Sequence, residues 1–487
     1  MKKKISIIGS GFSSLAASCY LAKAGYEVVV LEKNATVGGR ARQLIKDGFT
    51  FDIGPTWYWM PDVFEKFFAD FGKKPADYYE LEKLTPAYQV YFDALDSITI
   101  PGSLEEIYEV FEKEEKGSSK HLKSFLKSAE YNYDVSINDL VYKPGVSPLE
   151  LVTPVTIGKI TQFFSTIRTQ VRKKIKSKKL IQILEFPVLF LGAKPSNTPA
   201  FYNFMNYADF GLGTWHPKGG MYKVIEAMIT LATDLGVSFK TEANVDEVTV
   251  NDIGEANGLM VNGEFVSSDI VLSGADYHHT ETLLPKKYRQ YSEKYWDKKV
   301  FAPSSLLFYV GFDKKLANVC HHTLFFDTDF DLHAKTIYDT PSWPKKPLFY
   351  ASFPSITDDS FAPTNKEAAT FLIPLAPGLE DTPEIREKYF NLILERLEKL
   401  TGQSVKENIL FKESFCVNDF VKDYNSYKGN AYGLANILTQ TAFLRPKIKS
   451  KKVKNLFFTG QLTVPGPGVP PALISGKIAS DLILKNH

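Results

Sequence analysis

Two short apolar runs near the start of the chain predict strands that are buried on both faces. Residues 5–8 and 28–31 are mostly aliphatic and rich in β-branched side chains. Between them, residues 15–22 favour a helix, which Gly25 would end. The pattern therefore predicts a strand–turn–helix–strand unit of an α/β fold.

The period of the apolar positions changes several times further along the chain. Helical spacing occurs at 63–71, 222–235 and 473–484, and strand patterns occur at 88–92, 97–100, 305–310 and 370–374. The buried-strand pattern returns at 269–276 and 455–461, which indicates that the chain re-enters its first sheet. We therefore predict two interleaved domains, the first formed by 1–95, 219–300 and 405–487, and the second, of mixed α+β type, by 96–218 and 301–404.

A glycine-rich turn joins the first predicted strand to the first helix. Gly9 permits a tight turn, and Gly11 lets the backbone approach a pyrophosphate at the helix N-terminus. Glu32 ends the second strand, where its carboxylate would accept hydrogen bonds from ribose hydroxyls. Ser14 replaces the third glycine of the usual fingerprint and is small enough for that packing position. The turn, helix and acid together predict a Rossmann-like dinucleotide site.

A second glycine pair follows the acidic residue. Gly38 and Gly39 would let the chain pass close to a ligand, and Arg40 could pair with a phosphate in a bidentate way. An ordinary turn with a solvated arginine is the alternative. With the stretch from Phe51 to Pro55, these residues resemble the flavin-dependent amine-oxidase and carotenoid-desaturase superfamily. The aromatic cluster at 57–59 could line an apolar pocket or close the core.

Composition indicates an ordinary globular protein of 487 residues, with 44% hydrophobic and 23% charged residues. A net charge of +2 gives no reason to expect a nucleic-acid partner. The 36 Phe and 25 Tyr suit a large apolar cavity as well as a large core. Three scattered cysteines fit a reducing cytoplasmic compartment and form neither a disulfide framework nor a metal cluster. Since no apolar run approaches ~18 residues, we expect any membrane contact to be peripheral.

The stretch from Glu150 to Glu185 contains no acidic residue between its ends. Apolar residues recur there at helical spacing beside a basic face, namely Ile160, Phe164, Ile167, Val171 and Ile175 beside Lys159, Arg168, Arg172, Lys173, Lys174, Lys176, Lys178 and Lys179. A basic amphipathic helix of this kind suits the surface of an anionic bilayer. The alternative is a helix whose apolar stripe faces its own core and whose lysines are solvated.

The match becomes closer over the rest of the chain. Residues 213–220, His321-His322-Thr323, residues 438–446 and the Pro/Gly loop at 465–472 resemble bacterial phytoene desaturases, the carotenoid branch of the superfamily. The resemblance covers essentially the whole chain. It implies FAD, a location on the inner face of the cell membrane, and stepwise dehydrogenation of a forty-carbon polyene. Because adjacent residues of a strand point to opposite faces, the two histidines do not predict a metal site.

The resemblance also implies which residues contact the FAD. Val245 would touch the adenine end through its backbone, whereas Gly460 and Val469 would lie at the flavin end. Gln461 departs from many relatives, which carry Asp there. The candidate contacts are Gly9, Ser10, Gly11, Phe12, Ser13, Glu32, Lys33, Gly38, Gly39, Arg40, Gly54, Pro55, Thr56, Trp57, Val245, Gly460, Gln461, Gly468, Val469 and Pro470.

The expected function is FAD-dependent dehydrogenation of phytoene, or of its partly desaturated products, toward lycopene. Dioxygen or a quinone would reoxidise the cofactor, and no catalytic base is assigned. A desaturase of a hydroxylated or more unsaturated carotenoid, or a carotenoid isomerase, is the alternative. An amine-oxidase-type flavoenzyme and a non-enzymatic prenyl-protein escort share the fold, although the intact glycine turn, Glu32 and Arg40 argue against the escort.

Overall fold

The computed structural model describes residues 2–138, 140–152, 158 and 160–487. The α-helices in these parts are α1 (Phe12–Lys23), α2 (Pro61–Ala69), α3 (Leu104–Glu114), α4 (Ser118–Asn138), α5 (Ile160–Phe164), α6 (Ile167–Arg172), α7 (Lys178–Glu185), α8 (Phe204–Asn206), α9 (Tyr222–Asp234), α10 (Tyr277–Thr282), α11 (Glu293–Asp297), α12 (Phe330–Tyr338), α13 (Pro383–Thr401), α14 (Val417–Tyr424) and α15 (Val469–Asn486). Within the described ranges, no helix is both long and apolar enough to cross a membrane.

The strands form two principal sheets, a three-stranded sheet and two short pairs. They are β1 (Lys4–Ile8), β2 (Glu27–Leu31), β3 (Gln43–Lys46), β4 (Phe49–Asp52), β5 (Leu81–Lys83), β6 (Tyr88–Asp93), β7 (Asp96–Ile100), β8 (Trp215–Pro217), β9 (Ser238–Lys240), β10 (Val245–Val250), β11 (Ala256–Val261), β12 (Glu264–Ser267), β13 (Ile270–Ser273), β14 (Ser304–Phe312), β15 (His322–Phe325), β16 (Phe349–Ser352), β17 (Glu367–Leu375), β18 (Ile409–Phe415) and β19 (Leu456–Phe458).

The first principal sheet is parallel and has the order β19-β13-β1-β2-β9. Its strands come from the beginning, the middle and the end of the chain, so the predicted return of residues 269–276 and 455–461 to the first sheet is confirmed. The predicted α/β class is confirmed as well, whereas the domain boundaries stay a prediction. Apolar runs form these strands because both faces are buried, one against the helices α1, α9 and α15 and the other against the three-stranded sheet β10–β12.

Helices α1 and α15 pack directly against each other beside this sheet. Gly476 of α15 makes the close approach possible, since a Cβ there would lie 2.4 Å from the carbonyl oxygen of Ser13. Both helices begin next to the carboxyl ends of parallel strands, α1 after β1 and, through a Pro/Gly loop, α15 after β19. Their N-termini therefore face the same region of the fold.

The second principal sheet has seven strands in the order β18-β14-β17-β16-β15-β6-β7. Four side chains stand opposite one another on neighbouring strands of this sheet, in the order Leu307, Leu372, Tyr350 and Leu324. Because cross-strand partners point to the same face, the register places one tyrosine in a row of leucines. This face lies toward the glycine turn of the first sheet.

The predicted basic amphipathic helix is wrong. The described part of residues 160–185 forms three short helices, α5, α6 and α7. Thr166 and Ser177 start the last two, because their hydroxyls accept hydrogen bonds from the backbone N–H of Thr169 and Leu180. Lys159 and the side chain of Ile160 lie outside the described residues.

The apolar stripe of this segment faces the core. Ile167, Val171 and Ile175 are buried, and Phe164 is 76% exposed. Several of the basic side chains are paired, Arg172 with Glu185, Arg168 with Asp331, and Lys179 with Asp96. The alternative, with the apolar side chains turned to the core, therefore describes this segment better than one continuous amphipathic helix does.

Candidate functional site

One cavity runs from the glycine turn between β1 and α1 to the leucine-rich face of the seven-stranded sheet. Every residue named above as a candidate FAD contact lines it, from Gly9 in the first turn to Pro470 in α15. The polar residues gather at the turn, and the opposite half is lined mainly by aromatic and aliphatic side chains. The cavity thus joins a polar region to an apolar one.

Three loops meet at the polar end with backbone packed on backbone. Gly9 has a φ of +82°, a conformation that glycine adopts without strain. A Cβ on Gly39 would lie 3.0 Å from the Cα of Gly11, and one on Gly54 would lie 1.9 Å from the carbonyl oxygen of Arg40. Glycine is therefore required by φ at position 9, by space at position 54, and by both at position 39, where φ is +58°.

The N-terminus of α1 points its free N–H groups into this end. Gly11 is the N-cap residue, and no side chain caps the helix. A Cβ on Gly11 would find open space, so a ligand can approach its backbone closely. An uncapped helix N-terminus beside a cavity binds anionic groups through its N–H groups and its dipole.

Glu32 is buried beside the same turn and holds it in place. One carboxylate oxygen accepts hydrogen bonds from the backbone N–H and the hydroxyl of Ser10, at 3.1 and 2.6 Å. The other accepts from the backbone and side-chain nitrogens of Asn34, at 2.9 and 3.0 Å. Since a carboxylate offers about four acceptor positions, a ribose hydroxyl would share or replace one of these donors. Sequence reasoning did not identify Asn34, which lines the cavity next to Glu32.

Arg40 directly follows Gly39, and its backbone packs against Gly54. Its Nη2 donates to the hydroxyl of Ser426 at 3.2 Å, and its guanidinium lies 5.1 Å from the ring centre of Tyr424. In the amide orientation that satisfies both groups, the oxygen of Gln461 accepts from both Nη atoms of Arg40 at 3.1 Å. Gln461 therefore contacts the arginine although the usual aspartate is missing.

Burial leaves part of this arginine unsatisfied. Its Nε is buried and finds no hydrogen-bond partner among the described residues. Burial lowers the pKa of Arg40, and the nearby carboxylate of Asp276 opposes that shift. Asp276, whose own pKa is raised by burial, also lines the cavity and was missed by sequence reasoning. It follows a buried strand directly, which is the signal that could have identified it.

Trp57 marks the start of the apolar half. Its ring stacks on the imidazole of His322, with ring centres 4.0 Å apart and planes 12° apart. Phe186 and Phe190 contact it from other sides. Trp57 and Trp59 line the cavity, while Tyr58 packs in the core against Phe64. Both alternatives for the aromatic cluster are thus realised, each by different residues.

Tyr350 is the polar member of the leucine row at the cavity surface. Its hydroxyl is hydrogen-bonded to Thr56 Oγ1 at 2.8 Å and to His322 Nδ1 at 2.7 Å. Thr56 and Tyr350 line the cavity, and His322 is fully buried behind them. Sequence reasoning missed this connection because Thr56 and Tyr350 are 294 positions apart.

The residues of the polar end fit FAD. An uncapped helix N-terminus and the unsatisfied Nε of Arg40 suit a pyrophosphate, and the open space beside the Cα of Gly11 lets that group come close. A buried carboxylate at the end of β2 suits a ribose. Fold and site together define a dinucleotide-binding class of protein, in which the polar end of the cavity opens into a long apolar chamber.

The comparisons with known proteins define the family. The profile of the flavin containing amine oxidoreductases matches residues 12–484. A carotenoid 3,4-desaturase of Haloarcula japonica is 41% identical over 99% of this chain and 98% of its own length. A 4,4'-diapophytoene desaturase (4,4'-diaponeurosporene-forming) of Staphylococcus haemolyticus is 31% identical over 99% of both chains. The fold also matches an oxidoreductase from Methanosarcina mazei, with a TM-score of 0.62 and 16% identity over 97% of this chain and 99% of that one.

The chain belongs to the flavin containing amine oxidoreductases and, within them, to the carotenoid desaturases. It is therefore an FAD-dependent oxidoreductase that acts on CH–CH groups, and the predicted family, cofactor and enzyme class are confirmed.

Proposed function

We propose that this protein desaturates a long, uncharged carotenoid with FAD as the hydride acceptor. The observation that carries the proposal is the single cavity in which a dinucleotide-type polar end opens directly into an aromatic and aliphatic half. FAD, when bound, accepts a hydride from carbon. The chain's own part is to hold the polyene beside the cofactor and to exclude water.

Apolar burial would position such a substrate. A polyene has no polar handle, so binding depends on shape and on burial at about 25 cal/mol per Å². Aromatic walls suit this task, and they are supplied here by Trp57, Phe186, Phe190, Phe201, Phe326 and Phe330. A cleft for a small amine would need a charged or polar anchor for the substrate nitrogen, and the apolar half is a poor fit for one.

Because the 3,4-desaturase is the more similar of these two relatives, we propose a carotenoid that is already partly desaturated as the substrate. Identity is 41% to a 3,4-desaturase and 31% to a diapophytoene desaturase, each over nearly the whole chain. Phytoene, the substrate expected from the sequence, stays a prediction, and a hydroxylated carotenoid stays an alternative. The product would carry a longer conjugated system in each case.

Residues of the polar end would hold FAD as follows. The N-terminus of α1 and Arg40 would bind the pyrophosphate, and Glu32 would bind the adenosine ribose. Val245, which lies at the start of β10, would meet the adenine through its backbone. Gly460 and Val469 would lie at the flavin end, because β19 and α15 bring them to the far side of the same turn.

We place the enzyme peripherally on the inner face of the cell membrane, with dioxygen or a quinone as electron acceptor. Residues 145, 147 and 150 line the cavity, and the neighbouring Val146 and Leu149 are 64% and 75% exposed. Phe164, next to the cavity-lining Phe163, is 76% exposed. Large apolar side chains exposed beside an apolar chamber suit direct transfer of a polyene from a bilayer.

The function is tested by incubating the purified holoenzyme with carotenoids in liposomes and an electron acceptor. Phytoene, lycopene and a hydroxylated carotenoid are compared in parallel, with products followed by absorption and mass. We expect loss of two hydrogens and absorption at longer wavelength with at least one of them. If phytoene is the only carotenoid converted, the proposal of a partly desaturated substrate is contradicted. If an amine reduces the flavin and no carotenoid does, the proposed function is contradicted.

A further inference from the structure

We propose that Tyr350 takes up the proton released in the desaturation, with His322 as the buried base behind it. The inference rests on the proposed function and assigns the group that removes the second hydrogen. It is carried by the contacts around Tyr350, by the burial of His322, and by the place of both residues in the seven-stranded sheet.

The register isolates Tyr350 in an apolar surface. Leu307, Leu372 and Leu324 share its cross-strand row, and these four side chains line the cavity. Tyrosine at this position places a hydroxyl where apolar burial would favour a fourth aliphatic side chain. A polar atom kept on an apolar wall, and hydrogen-bonded from behind, suits a chemical role.

His322 lies behind that hydroxyl and is shielded from the cavity. It precedes Leu324 by two positions in β15, so both point to the same face of the sheet. Trp57 covers its ring at 4.0 Å and lines the cavity in its place. The hydroxyl of Tyr350, 2.7 Å from Nδ1, therefore connects this imidazole to the chamber.

The surroundings of His322 keep its imidazole uncharged. Burial lowers its pKa well below the usual range, and His216 lowers it further. Its neighbours include His321, hydrogen-bonded to Thr357, and His216, which pairs with Asp358 at 3.0 Å. Nε2 is buried and has no hydrogen-bond partner in the described parts of the chain. With a proton on Nε2, the ring accepts at Nδ1 from Tyr350, whose oxygen accepts in turn from Thr56.

The proton and the electrons balance. FAD, when bound, would accept a hydride from one carbon of the polyene, and positive charge would develop on the carbon chain. That charge acidifies the C–H bond of the neighbouring carbon, so a weak neutral base suffices. The C–H electron pair forms the new double bond, the proton passes to the oxygen of Tyr350, and the phenolic proton passes to Nδ1 of His322. After the product leaves, the proton passes back through Tyr350 to water that enters the emptied chamber.

The test compares Tyr350→Phe and His322→Gln with wild type. Phe keeps the ring and its packing, and Gln keeps an acceptor for the hydroxyl but cannot take its proton. Tyr91→Phe is the matched control, because this tyrosine in the same sheet donates from its hydroxyl to the carbonyl oxygen of Asn318 and does not itself line the cavity. Flavin reduction is measured without oxygen, with the carotenoid that the wild type converts.

We expect flavin reduction to slow by roughly a hundredfold or more in both variants, since a positioned acid–base group typically contributes 10²- to 10⁴-fold. FAD affinity and KM for the carotenoid should change by less than about threefold, and Tyr91→Phe should keep the wild-type rate. Equal rates in wild type and Tyr350→Phe would overturn the role assigned to Tyr350 and leave the proposed function standing. A wild type whose flavin no carotenoid reduces overturns the proposed function, and the assignment with it.

A second measurement does not depend on turnover. Nitrogen NMR of histidine-labelled apoprotein, with the His322 signal identified by its loss in His322→Gln, reports where the ring carries its proton. We expect an uncharged ring with the proton on Nε2 and a shift of the Nδ1 signal in Tyr350→Phe. A ring protonated on Nδ1 could not accept from Tyr350 and would contradict the inference.

Discussion

Glu32 accepts two hydrogen bonds from Ser10, one from its backbone N–H and one from its hydroxyl. The same serine hydroxyl accepts from the backbone N–H of Gly38, so the acid links both glycine loops. Glu32 therefore has two tasks in our account, to bind the ribose and to keep the phosphate turn in its binding conformation.

Replacing Glu32 by Ala should weaken FAD binding by roughly ten- to a hundredfold or more. Hydrogen bonds to a charged group contribute about 1.5–3 kcal/mol each, and ~1.4 kcal/mol is a factor of ten. Titration of apoprotein with FAD measures the effect, and the melting temperature shows whether the variant is folded. An unchanged affinity in folded protein would remove Glu32 from the site.

Membrane attachment should depend on exposed apolar residues beside the cavity. We expect Leu149→Ser with Phe164→Ser to lower co-sedimentation with anionic liposomes several-fold, because each loses apolar area that would enter the bilayer. Ile253→Ser with Phe265→Ser is the matched control, since these two residues are also exposed and lie in the three-stranded sheet region. If both double variants lose the same amount of liposome binding, the attachment does not depend on the residues beside the cavity.

Lysines of the 160–185 segment give a second arm of the same experiment. Neutralising Lys173, Lys174 and Lys176 should lower binding in a salt-dependent way, at about 1 kcal/mol for each charge near the surface. Arg172 is left unchanged because it has a structural partner. If the triple variant binds liposomes as strongly as the wild type does, the lysines do not contribute and the apolar residues account for the attachment.

Arg172→Ala should destabilise the fold, whereas Lys173→Ala should not. Arg172 donates from Nε and Nη2 to the two carboxylate oxygens of Glu185, at 2.8 and 3.0 Å, and Glu185 is buried. Removing the arginine leaves that carboxylate unpaired. As the arginine side chain is 41% exposed, we expect a loss of about 1–2 kcal/mol in the free energy of unfolding, measured in urea. Equal urea midpoints for Arg172→Ala and Lys173→Ala would contradict a stabilising ion pair between Arg172 and Glu185.

Asp209 should make the stability of the wild type fall as pH rises. Burial raises the pKa of this carboxyl from 3.8 to about 8, although Tyr88 donates a hydrogen bond to it. Between these two values the native state holds a proton that the unfolded state has lost, so stability decreases by at most about 1.4 kcal/mol per pH unit. The free energy of unfolding of the wild type, taken relative to that of Asp209→Asn, should fall up to about pH 8 and then stay constant. A constant difference would show that the carboxyl is ionised throughout.

Local patterns predicted the fold around the glycine turn well, because β1, the turn, α1 and β2 follow one another in the chain. Each step there depends on a few adjacent residues, such as Gly9 for the turn and Glu32 for the strand end. The prediction for the 160–185 segment is wrong because the spacing of its apolar residues favours one long helix. The hydroxyls of Thr166 and Ser177 instead start two separate short helices, which is also a local signal.

Contacts across the seven-stranded sheet could not be predicted in the same way. Tyr350 meets His322 because β15 and β16 pair in one particular register, and it meets Thr56 because the loop after β4 reaches the same place. Periodicity shows which face a strand residue takes but not which strand lies beside it. The stack of Trp57 on His322 likewise joins a loop and a strand more than 250 positions apart, so nothing local indicates it.

The most direct test of the account is one anaerobic turnover of the holoenzyme with a carotenoid in liposomes. The yellow flavin band and the polyene band are followed together. We predict that the flavin band bleaches as the polyene band moves to longer wavelength, with one double bond gained for each flavin reduced. A flavin that stays oxidised with every carotenoid, or that bleaches with no change in the polyene, would contradict the central claim.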